Sequence, residues 1–177
     1  MALEYIGLKN KVIEYKKVIA NAHTYRADWN ANLKDFIITE VHRMAAAADL
    51  DLSVKVQDNV GNLEAVTCSL GRSASGIFEK IDDDTNKPLI KHNGTLIYQQ
   101  LFNGKVQVMI SFPYIEGFGN PPPPKFIGIY RPQELKQPFL ERHLEEFVKT
   151  VTAWEDFDDD EPSHQRIGFN QPQVPVE

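Results

Sequence analysis

The chain has 177 residues, 42% hydrophobic and 25% charged, with one cysteine and a net charge of −6. A chain of this size forms one domain able to bury a core without disulfide staples. The lone Cys68 excludes an intramolecular disulfide framework and predicts a reducing, cytoplasmic setting.

The acidity is local. Residues 155–177 carry seven acidic residues and one arginine, whereas residues 1–154 carry 18 of each sign. A neutral body with no Lys/Arg stripe argues against nucleic-acid binding and against docking on anionic lipid. No apolar run is long enough to span a bilayer, and the first residues lack the basic head and apolar core of a signal peptide.

From Leu8 to Val60 there is neither glycine nor proline. Tyr5, Leu8, Val12, Tyr15 and Ile19 recur at alternating spacings of three and four, the period of one helix face, and Trp29, Leu33 and Phe36 follow later. Helix is therefore predicted over about residues 3–48, which unbroken would measure roughly 70 Å at 1.5 Å per residue. Such a rod outruns a compact domain. Either it breaks, most readily at His23–Asn32 where Asp28 offers an N-cap, or it projects and meets a partner. The heptad-like stripe suits packing on the same domain or pairing with a second subunit.

After Leu50 the period changes to two. Leu52, Val54 and Val56 alternate with Ser53, Lys55 and Gln57 as a first strand. Leu63–Leu70 reads as a second, with Glu64, Val66, Cys68 and Leu70 on one face. A glycine-flanked loop, Gly71–Gly76, leads to a short strand at Ile77–Ile81, and Leu89–His92 is extended. Asn103-Gly104 predicts a type I′ hairpin between strands that should be central to the sheet: Leu96, Tyr98, Gln100 and Phe102 before it, Val106, Val108, Ile110 and Phe112 after it. Pro121–Pro124 cannot join a ladder. Phe126–Tyr130 reads as a further strand. Pro132 or Pro138 starts a last helix whose apolar face is Phe139, Leu140, Leu144, Phe147, Val148 and Val151. The predicted class is α+β: a long N-terminal helix, an antiparallel meander of about five strands, and a C-terminal helix, with the helices on one sheet face. Residues 1–154 form the domain, and 155–177 an acidic, then Pro/Gln-rich flexible tail.

Little of this carries recognisable chemistry. His143 and Glu146 share a helix face at i, i+3 but lack a third metal ligand, so no metal or cofactor is predicted. Cys68 sits mid-strand between Val66 and Leu70, which suits a buried small hydrophobe better than a nucleophile. No serine lies in a Gly-x-Ser-x-Gly elbow. The carboxylates of Asp82-Asp83-Asp84 and of the tail read as solvated charge, without the desolvation that catalysis needs. The mixture of Trp154 and Phe157 with tail acids offers material for docking on a basic groove.

Two functional readings follow. The first is a non-catalytic interaction module of chaperone or adaptor kind, a homodimer formed through Tyr5, Leu8, Val12, Tyr15 and Ile19, with a further protein partner. The second is a small-molecule binder or enzyme on the open sheet face. Its mouth would be formed by Arg72, Ser73 and Ser75 of the glycine-flanked loop with Tyr114 and Phe118 of the loop that precedes the prolines. Arg72 is its obvious anion anchor.

Overall fold

The computed structural model describes residues 4–61 and 63–158. The elements in chain order are α1 (Ile6–Asp28), a π-helical turn (Trp29–Leu33), α2 (Lys34–Ala47), β1 (Ser53–Val60), β2 (Leu63–Ser69), β3 (Arg72–Lys80), β4 (Asn86–His92), β5 (Thr95–Gln100), β6 (Val106–Ser111), β7 (Tyr114–Ile115), β8 (Lys125–Tyr130) and α3 (Gln137–Glu155). A five-stranded antiparallel sheet runs β1-β2-β5-β6-β8, and a three-stranded sheet runs β3-β4-β7. The class is α+β, with β5 and its hairpin partner β6 inside the larger sheet. None of the described helices is long and apolar enough to cross a membrane.

The break expected near Asp28 is absent. The backbone of Asp28 is helical (φ −67°, ψ −38°), and its side chain makes no capping bond to the backbone. It accepts instead from Asn32 Nδ2 at 3.0 Å. The weak helix formers locate a π-turn, which absorbs the irregularity without ending the rod. α1, the turn and α2 thus form one helix about 60 Å long. It closes cleanly after Ala47. Asp49 takes a left-handed conformation (φ 53°), Leu50 N–H donates to Ala45 O at 2.9 Å, and Asp49 N–H to Ala46 O at 3.3 Å. This is the double bond of a Schellman stop, and it turns the chain into β1.

The core lies on one face of the five-stranded sheet. Trp29, Leu33, Ile37, Val41 and Ala45, four residues apart along the helix, pack with Leu140, Leu144 and Phe147 of α3. Both sets meet Val66 and Cys68 of β2, Leu96 and Tyr98 of β5, and Val106, Val108 and Ile110 of β6. Burial of apolar area of this kind is the dominant stabilising term.

Between β2 and β5 the chain makes an excursion. The predicted Gly71–Gly76 loop is instead the first half of a nine-residue strand, β3, irregular between Ala74 and Phe78 where Gly76 has positive φ. It pairs with β4 as an exposed arm.

The β5–β6 turn also differs from the expected type I′ form. Gly104 has φ 78°, but Asn103 is not left-handed. Gly104 N–H donates to Leu101 O (2.9 Å), and Leu101 N–H to Lys105 O (2.8 Å). This is the three-residue loop with a glycine bulge, so Phe102 leaves the ladder and is exposed. The turn is shaped by the long helix, because a Cβ on Gly104 would lie 2.7 Å from Ala22 O and from Tyr25 Cβ. Arg26 also donates to Phe102 O. Gly104→Ala combines positive φ with that overlap and should destabilise the chain by about 1–3 kcal/mol, measured by urea unfolding. An unchanged midpoint would mean that the helix does not bear on this turn.

Candidate functional site

Every residue from Glu4 to Ala20 is exposed, so the first two-thirds of α1 stands clear of the body. Its apolar stripe is open along its length: Tyr5 is 67% exposed, Leu8 62%, Val12 40%, Tyr15 64% and Ile19 45%. The first buried side chain along the helix is Tyr25. An isolated helix of this length is marginal in water, and continuity with the buried α2 supplies the nucleus it would otherwise lack. Ile6, Ile13 and Val18 of the same helix, off this row, are exposed as well.

A second surface leaves only a faint trace in the sequence. Between α2 and α3 opens a groove of ≈ 690 Å³, its wall formed by Met44, Ala47, Ala48, Leu50, Leu144 and Val148. Arg43, Gln137, Glu141, Glu145 and Lys149 border it. Its sequence signal is the run Ala45-Ala46-Ala47-Ala48, whose small side chains leave the space that larger residues would fill.

The residues expected to form a ligand mouth divide. Arg72, His92 and Tyr114 are directly opposite one another across β3, β4 and β7. The His92 ring stacks on Tyr114 (centroids 4.3 Å, planes 6° apart), and its Nε2 lies 2.6 Å from Glu116 Oε1. The bond from His92 holds the Glu116 carboxyl below the ordinary range, and the charges of Arg72 and Lys87 add to this. The Arg72 charge therefore acts on a carboxylate of its own chain. Ser73 Oγ donates to Asn93 Oδ1 (3.0 Å), and Ser75 Oγ donates to Leu89 O (2.6 Å) while accepting from Ile77 N–H (3.1 Å). These hydroxyls tie β3 to its neighbours. Phe118 sits further along the loop, bridged to Ile115.

The remaining candidates have structural partners. Cys68 is fully buried, and burial pushes its thiol up to about 12. His143 is buried too, with Nδ1 3.3 Å from Tyr98 Oη and Nε2 3.2 Å from Tyr130 Oη. Glu146 points away from it and accepts from Lys125 Nζ at 2.6 Å. Among the described residues no three of His, Cys, Asp and Glu converge as metal ligands. Trp154 and Glu155 belong to α3. Lys91 of β4 pairs with Glu155 at 2.6 Å and lies over the Trp154 ring at 5.9 Å. The predicted tail from residue 159 onward lies outside the described residues.

The sheet face away from the helices carries two cross-strand rows: Lys55, Thr67, Ile97, Met109 and Phe126, then Gln57, Ala65, Gln99, Gln107 and Ile129. Lys55 is the one charge in these rows. The α2–α3 groove opens on the opposite side.

No protein-family model, curated protein or solved structure matches the chain.

Two outcomes follow from the buried groups. Ellman's reagent should leave Cys68 unlabelled in the native protein and label it on unfolding; fast native labelling would place it at the surface. Desolvation, assisted by the nearby Arg142 charge, lowers His143 to about 4. The unfolded chain then binds a proton from about pH 6.5 downward that the native chain refuses until about pH 4, so stability should fall as pH drops through that window. Above it both states are neutral at this site. His143→Gln should flatten the dependence, read by urea unfolding near pH 7 and near pH 5; an unaltered slope would exclude His143 as its source.

Proposed function

We propose that this protein is a non-catalytic interaction module of adaptor or chaperone kind that self-associates through α1. The single observation carrying the proposal is the projecting, five-residue apolar stripe. Full burial of such a side chain contributes about 1.5–3 kcal/mol. Covering several offsets the freedom lost on association. Covering both stripes symmetrically requires a closed, two-fold arrangement, the commonest among soluble oligomers.

Two further observations support the reading. Among the described residues, Cys68, His143 and Glu146 are engaged by core packing or by hydrogen bonds within the chain. The sheet face opposite the core carries a single charge, Lys55, in its two cross-strand rows, and offers a second surface for a protein partner. A cytoplasmic setting belongs to the same proposal and rests on the lone, buried cysteine.

Light scattering should give twice the chain mass of 20.2 kDa. Leu8→Glu with Val12→Glu should give the chain mass with the helical signal largely kept, since both positions are exposed and outside the core. An unchanged dimer in that variant would remove α1 from the interface.

A further inference from the structure

The exposed stripe and the α2–α3 groove belong to one continuous helix at one end and to its partner helix at the other, and this settles which of them can meet. α1, the π-turn and α2 share one axis, so Val12 and Met44 lie about 48 Å apart along it at 1.5 Å per residue. α1 cannot fold back onto the groove of its own chain while that helix is intact. We propose that the groove receives α1 of a second copy, reciprocally, so that two stripes and two grooves are covered about one two-fold axis. The inference rests on the self-association proposed above and adds its receiving surface.

Dimensions and chemistry agree. Tyr5 to Ile19 spans about 21 Å of helix, and the α3 side of the groove, Gln137 to Lys149, about 18 Å. The alanines of α2 permit the close approach of a third helix, and Met44 adapts its shape to large side chains.

Charge separates this arrangement from the pairing of α1 with α1. Lys9 and Lys16 follow the stripe on one side and Lys11 on the other, the positions that meet a partner helix beside an apolar seam. Pairing α1 with itself sets lysine against lysine in the parallel and the antiparallel orientation alike; the parallel form gains only Glu4 opposite Lys9. Lys11 is paired with Glu14 at 2.9 Å, while Lys9 and Lys16 have no ion pair among the described residues. The groove border carries both signs, with its two carboxylates on the α3 side. Glu141 and Glu145 are exposed; Glu141 accepts from Gln137 Nε2 at 2.9 Å and feels the Arg43 charge, while Arg43 itself pairs with Glu40 at 2.7 Å. Lys149 is the remaining cation of the border.

The test uses the full chain, with the dimer dissociation constant measured by light scattering over a dilution series. Glu141→Lys with Glu145→Lys should weaken the dimer at least about tenfold. Lys9→Glu with Lys16→Glu should do the same, and the four substitutions together should restore affinity to within about threefold. Val148→Glu, at an exposed position on the groove wall, should also weaken it, with circular dichroism confirming that each variant is folded.

A dissociation constant unchanged by both Glu141→Lys/Glu145→Lys and Val148→Glu overturns the proposal, whether the groove is filled by residues 159–177 of its own chain, by a foreign protein or by nothing. Self-association through α1 survives that result if Leu8→Glu/Val12→Glu still yields monomer. A wild-type chain that is monomeric at every concentration overturns both.

Discussion

The indole of Trp29 decides where the long helix stops being a rod in water and becomes part of the core. It is fully buried at the π-turn, and its Nε1 donates to Glu64 Oε2 of β2 at 3.0 Å. Lys34 Nζ, one turn further on, donates to the same oxygen at 2.9 Å. The Trp29 bond, then the Lys34 bond, hold the Glu64 carboxyl below its ordinary range. A half-buried carboxylate meeting two donors is worth keeping only if both donors arrive together, so the pair sets the position of the helix on the sheet as well as its attachment. Ala22, Tyr25 and Arg26 reach the β5–β6 turn, and residues 4–20 before them stay exposed among the described residues.

The opposite flank of the core is held by a different polar device. His143 bridges Tyr98 of β5 and Tyr130 of β8, so one imidazole joins α3 to two strands that are not neighbours in the sheet. A neutral imidazole has one donor and one acceptor nitrogen, and two hydroxyls complement both. Lys125 of β8, through Glu146 and Thr150, adds a third tie from α3 to the sheet edge. The apolar core supplies the driving force, and these polar links limit the ways in which two helices can lie on the same sheet face.

The two surfaces left uncovered are products of this arrangement. Because the helix is anchored by its second half, its first half projects with an apolar stripe. Because α2 ends in small residues beside α3, a groove remains between them. One continuous helix carries the stripe and one side of the groove, at opposite ends.

How much of this was legible along the chain depends on the range of the interaction concerned. Helix periodicity, strand alternation in β1, β2, β5 and β6, and the apolar face of α3 are local patterns, and these patterns assigned the α+β class and most element positions. The stripe of Tyr5, Leu8, Val12, Tyr15 and Ile19 was equally visible, since spacing along one helix is a local property. Tertiary structure decided the rest. The residues after Asp28 form a π-turn rather than a break, and Trp29 at its start and Lys34 just past its end both bond to Glu64, a residue distant in the chain. Gly71–Gly76 became a strand because β4 was there to satisfy its backbone, a pairing that no local pattern announces. His143 and Glu146 share a helix face in sequence, yet one turns inward to two tyrosines and the other outward to Lys125. The groove exists only where two distant helices converge. A sequence records which side chains share a face of one element; which faces of different elements meet, and what they leave open between them, is settled by packing across the whole chain.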